Sequence, residues 1–153
     1  MPFLTYTIEE NLVEKMKVVL ASAFSLYLKS HNYHWNVTGE NFKAYHDFFG
    51  EYYENVFGSI DEYAERIRTL KSFAPGSLKR FSELSVISDE LSIPSPKFMF
   101  VRLAQDNQRF VAELKEAHGI ASQLSQQGIA SLLEDRIDFH EKMQWMLDSH
   151  ADI

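Results

Sequence analysis

The sequence predicts an all-α protein: four long helices in a bundle, with one long connection between the second and third. Three observations carry this. Apolar residues recur at three- and four-residue steps through nearly the whole chain. Three of the four prolines, Pro75, Pro94 and Pro96, are confined to one stretch. Elsewhere the breaks are short turn signals, at Gly39 and at Gly128.

The elements follow in order. Thr7 with Glu10 reads as a capping box. Leu12, Met16, Val19, Leu20, Ala23, Phe24 and Tyr27 then form one apolar face, and this helix should run to about Asn36. After a turn around Gly39, a second helix carries Phe42, Tyr45, Phe49, Tyr52, Val56, Phe57, Ile60, Tyr63, Ala64, Ile67 and Leu70 on its apolar side. The connection "SFAPGSLKRFSELSVISDELSIPSPKF" is too long to be structureless in a compact domain. It predicts a short helix at Leu78–Leu84 or at Asp89–Leu91. Ser95-Pro96 opens the third long helix as N-cap and first helical residue, with Val101, Ala104, Phe110, Val111, Leu114 and Ala117 facing inward. Gly128 is expected to separate it from a fourth, carrying Ile129, Leu132, Leu133, Ile137, Met143 and Met146. One long crossover between helices two and three is ferritin-like connectivity.

Composition narrows the function. A chain of 153 residues, 45% hydrophobic, is long enough for one soluble domain spanning 1–153 with a sizeable core. No apolar run reaches membrane-spanning length, and "MPFLTYTIEE" lacks the basic and apolar regions of a signal peptide. The absence of cysteine excludes disulfides and thiolate metal sites, and makes the cytoplasm the expected compartment. A net charge of −7 argues against a surface that grips nucleic acid generally. It suits solubility or an acidic cavity that collects cations.

Four residues are candidate metal ligands: His34, His46, Asp61 and Glu65. His46 and Asp61 stand about 22 Å apart along one helix, too far to share an ion. Their angular offset is only about 60°, so they share a side. If two copies of this helix lie antiparallel across a two-fold axis near Tyr53, residue 46 of one faces residue 61 of the other. His34 comes alongside. Such an isologous interface makes two identical sites, each with two imidazoles from one chain and two carboxylates from its partner. That donor set suits Fe(II), and also Zn(II) or Mn(II). The plainer alternative is that the histidines are hydrogen-bonded interface residues and the carboxylates a solvated helix face. A carboxylate-bridged di-iron centre within one chain would need Glu-x-x-His pairs, and none of the six histidines has a Glu three residues before it.

"HWNVTG" followed by "YHDFFGEYYENVFGSIDEYAERI" resembles the signature of the Dps family, mini-ferritins that assemble as dodecameric shells. The similarity extends through "APGSLKRFSELSVI" and "HEKMQWML", most of the chain. The resemblance implies that His34 and His46 of one subunit, with Asp61 and Glu65 of its neighbour, form a ferroxidase centre. There Fe(II) would be oxidised to Fe(III), typically with hydrogen peroxide, before mineral grows inside the shell. It also implies that Trp35 neighbours the site, and that acidic residues near the start of the last helix, here Glu134, Asp135 and Asp138, line three-fold pores. Their plainer reading is a solvated acidic face.

This chain departs from the family pattern where an acidic residue usually stands four positions after the second His. Here that position is Gly50, and neither Asp47 nor Glu51 is an obvious replacement. A mid-helix glycine costs about 1 kcal/mol relative to alanine, with no gain visible in the sequence. One of two iron positions is therefore expected to be weak. Gly50 also supports a rival function, a Dps-like shell or interaction protein without ferroxidase activity. Strong DNA binding is not expected: the first fourteen residues contain no Lys or Arg, the tail "DSHADI" is acidic, and Lys79 with Arg80 is a small basic spot. His31, His118, His140 and His150 are expected at surface or supporting positions.

Overall fold

The computed structural model describes residues 7–152; the first six residues of the basic-poor N-terminus and the last residue of the acidic tail lie outside it. Five helices and no strand occur among the described residues: α1 (Ile8–Asn36), α2 (Phe42–Thr69), α3 (Leu78–Leu84), α4 (Pro96–Gln123) and α5 (Gln127–Ala151). α1 packs on α2 and α4 on α5, each pair joined by a short turn, and α1 lies against α4 to close the bundle. No described helix is long and apolar enough to cross a membrane.

Local chemistry explains the helix limits. The Thr7 side chain accepts the Glu10 amide while Glu10 returns the bond to the Thr7 amide, satisfying two donors that the first turn leaves free. Ser95 caps α4, with Pro96 in its first turn. Gly39 takes φ 108° in the α1–α2 turn, which favours a residue without Cβ. Of the two sites expected for the short helix, Leu78–Leu84 is helical and Asp89–Leu91 is not.

One boundary is corrected. Gly128 does not separate α4 from α5; it lies in the first turn of α5. The break falls on Ser125, at φ 57°, where the Gln126 amide bonds back to the Ala121 carbonyl at 2.9 Å. This is a left-handed helix cap made without glycine. A Cβ at Gly128 would stand 3.0 Å from Arg66 Nη1, the far end of a flexible side chain.

The core runs the length of the bundle, from Leu12, Met16 and Leu20 on α1 through Phe49, Tyr52, Val56 and Tyr63 on α2 to Phe110, Leu114 and Leu133. Phe42 and Phe57, expected on the apolar face of α2, are 43% and 56% exposed. The helix repeat places them on a second face that one chain does not cover. His140, expected at a surface or supporting position, is wholly buried. Its Nδ1 donates to Asn107 Oδ1 at 2.7 Å, and Asn107 in turn accepts from the Tyr52 hydroxyl at 2.9 Å. Burial and then the nearby Arg136 push this imidazole well below its ordinary pKa, so it stays neutral.

The crossover between α2 and α4 is pinned at four points. Ser22 Oγ accepts the Val86 amide, Lys29 donates to the Ser88 carbonyl, and Glu90 accepts from the Tyr33 hydroxyl at 2.7 Å and from Arg102 at 2.7 and 2.9 Å. Burial alone would raise the Glu90 carboxyl, but the bonds from Tyr33 and Arg102 outweigh it and hold it down to about 2. Its unfolded value is 4.5. The stabilisation from this contact is therefore complete above that pH and is lost as pH falls toward the folded value. Hydrogen exchange of the segment around Ile87 is expected to accelerate over that window. In Glu90→Gln the pH dependence should flatten, and an unchanged profile would show that another group governs the segment.

Candidate metal centre

The α1–α2 turn brings His34, in the last turn of α1, against His46, early in α2. Their rings stack with centroids 3.7 Å apart and planes 20° from parallel. The backbone contact is reciprocal: His34 Nδ1 lies 2.7 Å from the His46 carbonyl oxygen, and His46 Nδ1 lies 2.7 Å from the His34 carbonyl oxygen. A carbonyl only accepts, so each Nδ1 carries a hydrogen. In the neutral ring the lone pair is then on Nε2. A backbone bond that fixes tautomer and orientation in this way is characteristic of metal-ligating histidine. The contact has a second use, because the His34 carbonyl belongs to the last turn of α1 and has no helical partner of its own.

Gly50 lies against the His34 ring. A Cβ at that position would come within 3.1 Å of His34 Nδ1 and 3.2 Å of Cε1. The glycine therefore has a structural gain that the sequence does not reveal: it lets the His34 ring seat on the α2 backbone. Asp47 is engaged elsewhere, paired with Lys43 at 3.0 Å.

His31, given no role by the sequence pattern, is sandwiched between Trp35 (3.8 Å) and Tyr53 (3.9 Å, 14°), with Nδ1 3.2 Å from the Tyr27 hydroxyl. Burial and the neighbouring His34 lower its pKa. The signal available in sequence was the four-residue spacing of His31 and Trp35, which puts them on one helix face. Trp35 itself is 58% exposed.

Asp61 and Glu65 lie one turn apart on the exposed side of α2. A hydrogen bond with Asp61, reinforced by its charge, raises the Glu65 carboxyl above its usual range. Two carboxylates held this close repel when both ionise, and a bound cation relieves that. The structure thus brings His34 to His46 and Asp61 to Glu65, but leaves the two pairs about 22 Å apart along α2. Among the described residues no three of His, Asp and Glu are placed to hold one ion within the chain. Between the pairs, the outer face carries Tyr53 and the exposed Phe57, with Trp35 beside it on α1.

Of the acidic residues considered for a pore, Glu134 meets His118 at 2.8 Å, while Asp135 and Asp138 are exposed on α5. In the small basic spot, Arg80 is paired with Glu83, which leaves Lys79 the remaining cation there.

The chain and its fold are similar to known proteins. The ferritin-like domain family matches residues 13–153. The DNA protection during starvation protein of Brevibacillus brevis is 33% identical over 81% of this chain and 83% of its own length. A Dps protein from Bacillus brevis superposes with a TM-score of 0.90 at 29% identity, covering 95% of this chain and 98% of that one. A Dps protein from Vibrio cholerae, described as a member of a broad superfamily of ferritin-like diiron-carboxylate proteins, superposes with a TM-score of 0.88 at 25% identity, over 93% and 89% of the two chains.

Proposed function

This chain belongs to the ferritin-like domain family and within it to the Dps proteins, and we propose that it oxidises Fe(II) with hydrogen peroxide and stores the Fe(III) inside a homo-oligomeric shell. The shell is taken to be a dodecamer in the cytoplasm. The observation that carries this reading is the reciprocal backbone lock of His34 and His46, which leaves both Nε2 lone pairs available.

In this reading His34 and His46 of one subunit and Asp61 and Glu65 of a second copy form the ferroxidase site. The exposed aromatic face between the two pairs forms the two-fold contact. Imidazole nitrogen binds Fe(II) before oxidation, and carboxylate oxygen favours the harder Fe(III) product. Peroxide takes one electron from each of two Fe(II) ions as its O–O bond breaks. Hydrolysis of the two Fe(III) ions by water then yields ferric oxyhydroxide and releases protons. The protein's part is to hold iron and peroxide together, so that both electrons arrive and no radical escapes.

The rival reading, a shell without ferroxidase activity, drew its support from Gly50, and the seat of His34 on that glycine accounts for it sterically. Fe(II) supplied with hydrogen peroxide is expected to co-elute as ferric iron with a particle near twelve times 17.8 kDa. A particle of that mass without iron would leave only the shell. Although relatives are named for DNA protection, this chain's acidic balance gives phosphates little to bind. Plasmid DNA at moderate salt should migrate unretarded beside it, and stoichiometric retardation would contradict this.

A further inference from the structure

The bundle interior holds an imidazole, His140, that the proposed iron site does not use, and Asn107 on α4 fixes where its hydrogen sits. Asn107 Nδ2 stands 2.9 Å from the His140 carbonyl oxygen, which only accepts, and donates its second hydrogen to Gln144 Oε1 at 2.9 Å. Oδ1 is therefore the acceptor, taking the Tyr52 hydroxyl at 2.9 Å and His140 Nδ1 at 2.7 Å. With a hydrogen on Nδ1, the neutral ring keeps its lone pair on Nε2. Arg136 Nη2 donates to it there at 3.4 Å.

A proton on Nε2 would set imidazolium against guanidinium, donor against donor, at a wholly buried position. Among the described residues no carboxylate faces the ring to offset that charge. From α2 come Tyr52 and, beside Arg136, Tyr63, two phenols that burial keeps protonated. From α4 come Asn107 and Phe110, while the neighbouring Asp106 is paired with Lys29 of α1 and with Arg109. On α5 itself Asp138 and Glu141 are exposed, Glu141 toward Lys115. Backbone approach between α2 and α5 is slight, so side chains hold that seam. Among them are Arg136 Nη1 to Asn55 Oδ1 at 2.7 Å, and Tyr52 through Asn107 to His140. We propose that His140 is a proton-operated latch on the seam between α2 and α5: the seam stays closed over a neutral imidazole, and acid opens it by favouring every state in which that ring reaches water. An imidazole whose folded value lies below its ordinary 6.5 takes up its proton on opening. Closure is therefore strongest above pH 6.5 and weakens as pH falls below it. Each further unit raises the open population about tenfold until the folded value is reached.

Hydrogen exchange of the assembled protein between about pH 7 and about pH 5, corrected for the intrinsic pH dependence of amide exchange, tests the latch. Protection of the α5 amides from Ile137 to Met146 is expected to fall about tenfold per pH unit below 6.5, while α1 amides around Leu20 keep theirs. His140→Asn, whose amide can donate to Asn107 but takes up no proton, should be less protected at pH 7 and flat across the range. His140→Gln is the second uncharged replacement, used if the first does not assemble. A fall in either variant as steep as in the native chain would overturn the latch. So would native protection of Ile137 to Met146 that does not change with pH. A native fall shared equally by the whole chain would overturn it too, including the stretch of α1 at His31, the other imidazole held below its ordinary range.

Discussion

Replacing both Asp61 and Glu65 by alanine is expected to lower the rate of Fe(II) oxidation by at least about 100-fold while the particle elutes at its native volume. Loss of a single group supporting a ligand typically costs 10–100-fold, and here two direct oxygen donors would go at once. The remaining pair of imidazoles, His34 and His46, has no charge with which to offset Fe(III). The fold should not suffer, because both carboxylates are exposed on α2 and surface substitutions usually change stability by no more than about 0.5 kcal/mol. Their mutual repulsion makes a slight stabilisation the expected sign, since Glu65 is raised by its neighbour Asp61. The measurement is a stopped-flow trace of ferric absorbance, with size-exclusion chromatography of the same samples. Native-like oxidation in an intact particle would remove Asp61 and Glu65 from the mechanism.

Lys29→Met is expected to cost about 3–5 kcal/mol, the usual result of removing one partner from a buried ion pair. Lys29 Nζ stands 2.7 Å from Asp106 Oδ2, with the two side chains 9% and 5% exposed. That contact has ion-pair distance but not hydrogen-bond alignment. Lys29 also donates to the Ser88 carbonyl, so the substitution releases the crossover as well. Asp106 would keep only Arg109, at 2.9 Å and 58% exposed, which cannot compensate a charge at that depth. The double variant Lys29→Met/Asp106→Leu should recover most of the loss, because an apolar pair of similar volume is often as stable as the ions it replaces. Urea unfolding of the three proteins at one fixed concentration tests this, since assembly couples stability to concentration. A single variant within about 1 kcal/mol of native would show that the pair is solvated in solution.

Much of the fold was legible because helices declare themselves locally. The Thr7–Glu10 box, the Ser95-Pro96 start, the apolar steps and the short helix Leu78–Leu84 all depend on residues within a few positions of each other. The misreadings were contacts between distant segments. Gly128 looked like a break, but it lies within the first turn of α5, beside the Arg66 side chain of α2. His140 was open between a surface and a supporting position, and only its bond to Asn107 on α4, itself held by Tyr52 on α2, decides for the interior. His31 had no visible role until Tyr53 on α2 stacked against it.

The candidate site divides along the same line. Periodicity by itself determined that His46 and Asp61 share a helix face yet cannot share an ion within one chain, because a helix is a rigid ruler of about 1.5 Å per residue. If all four residues are ligands, that ruler requires the donors to come from two copies. Only the tertiary structure decided which nitrogen of each histidine is free and why residue 50 is glycine. Those answers depend on how closely the end of α1 approaches the backbone of α2. An approach measured in tenths of an ångström is set by the packing of the two helices, and no repeat of apolar residues along either one encodes it.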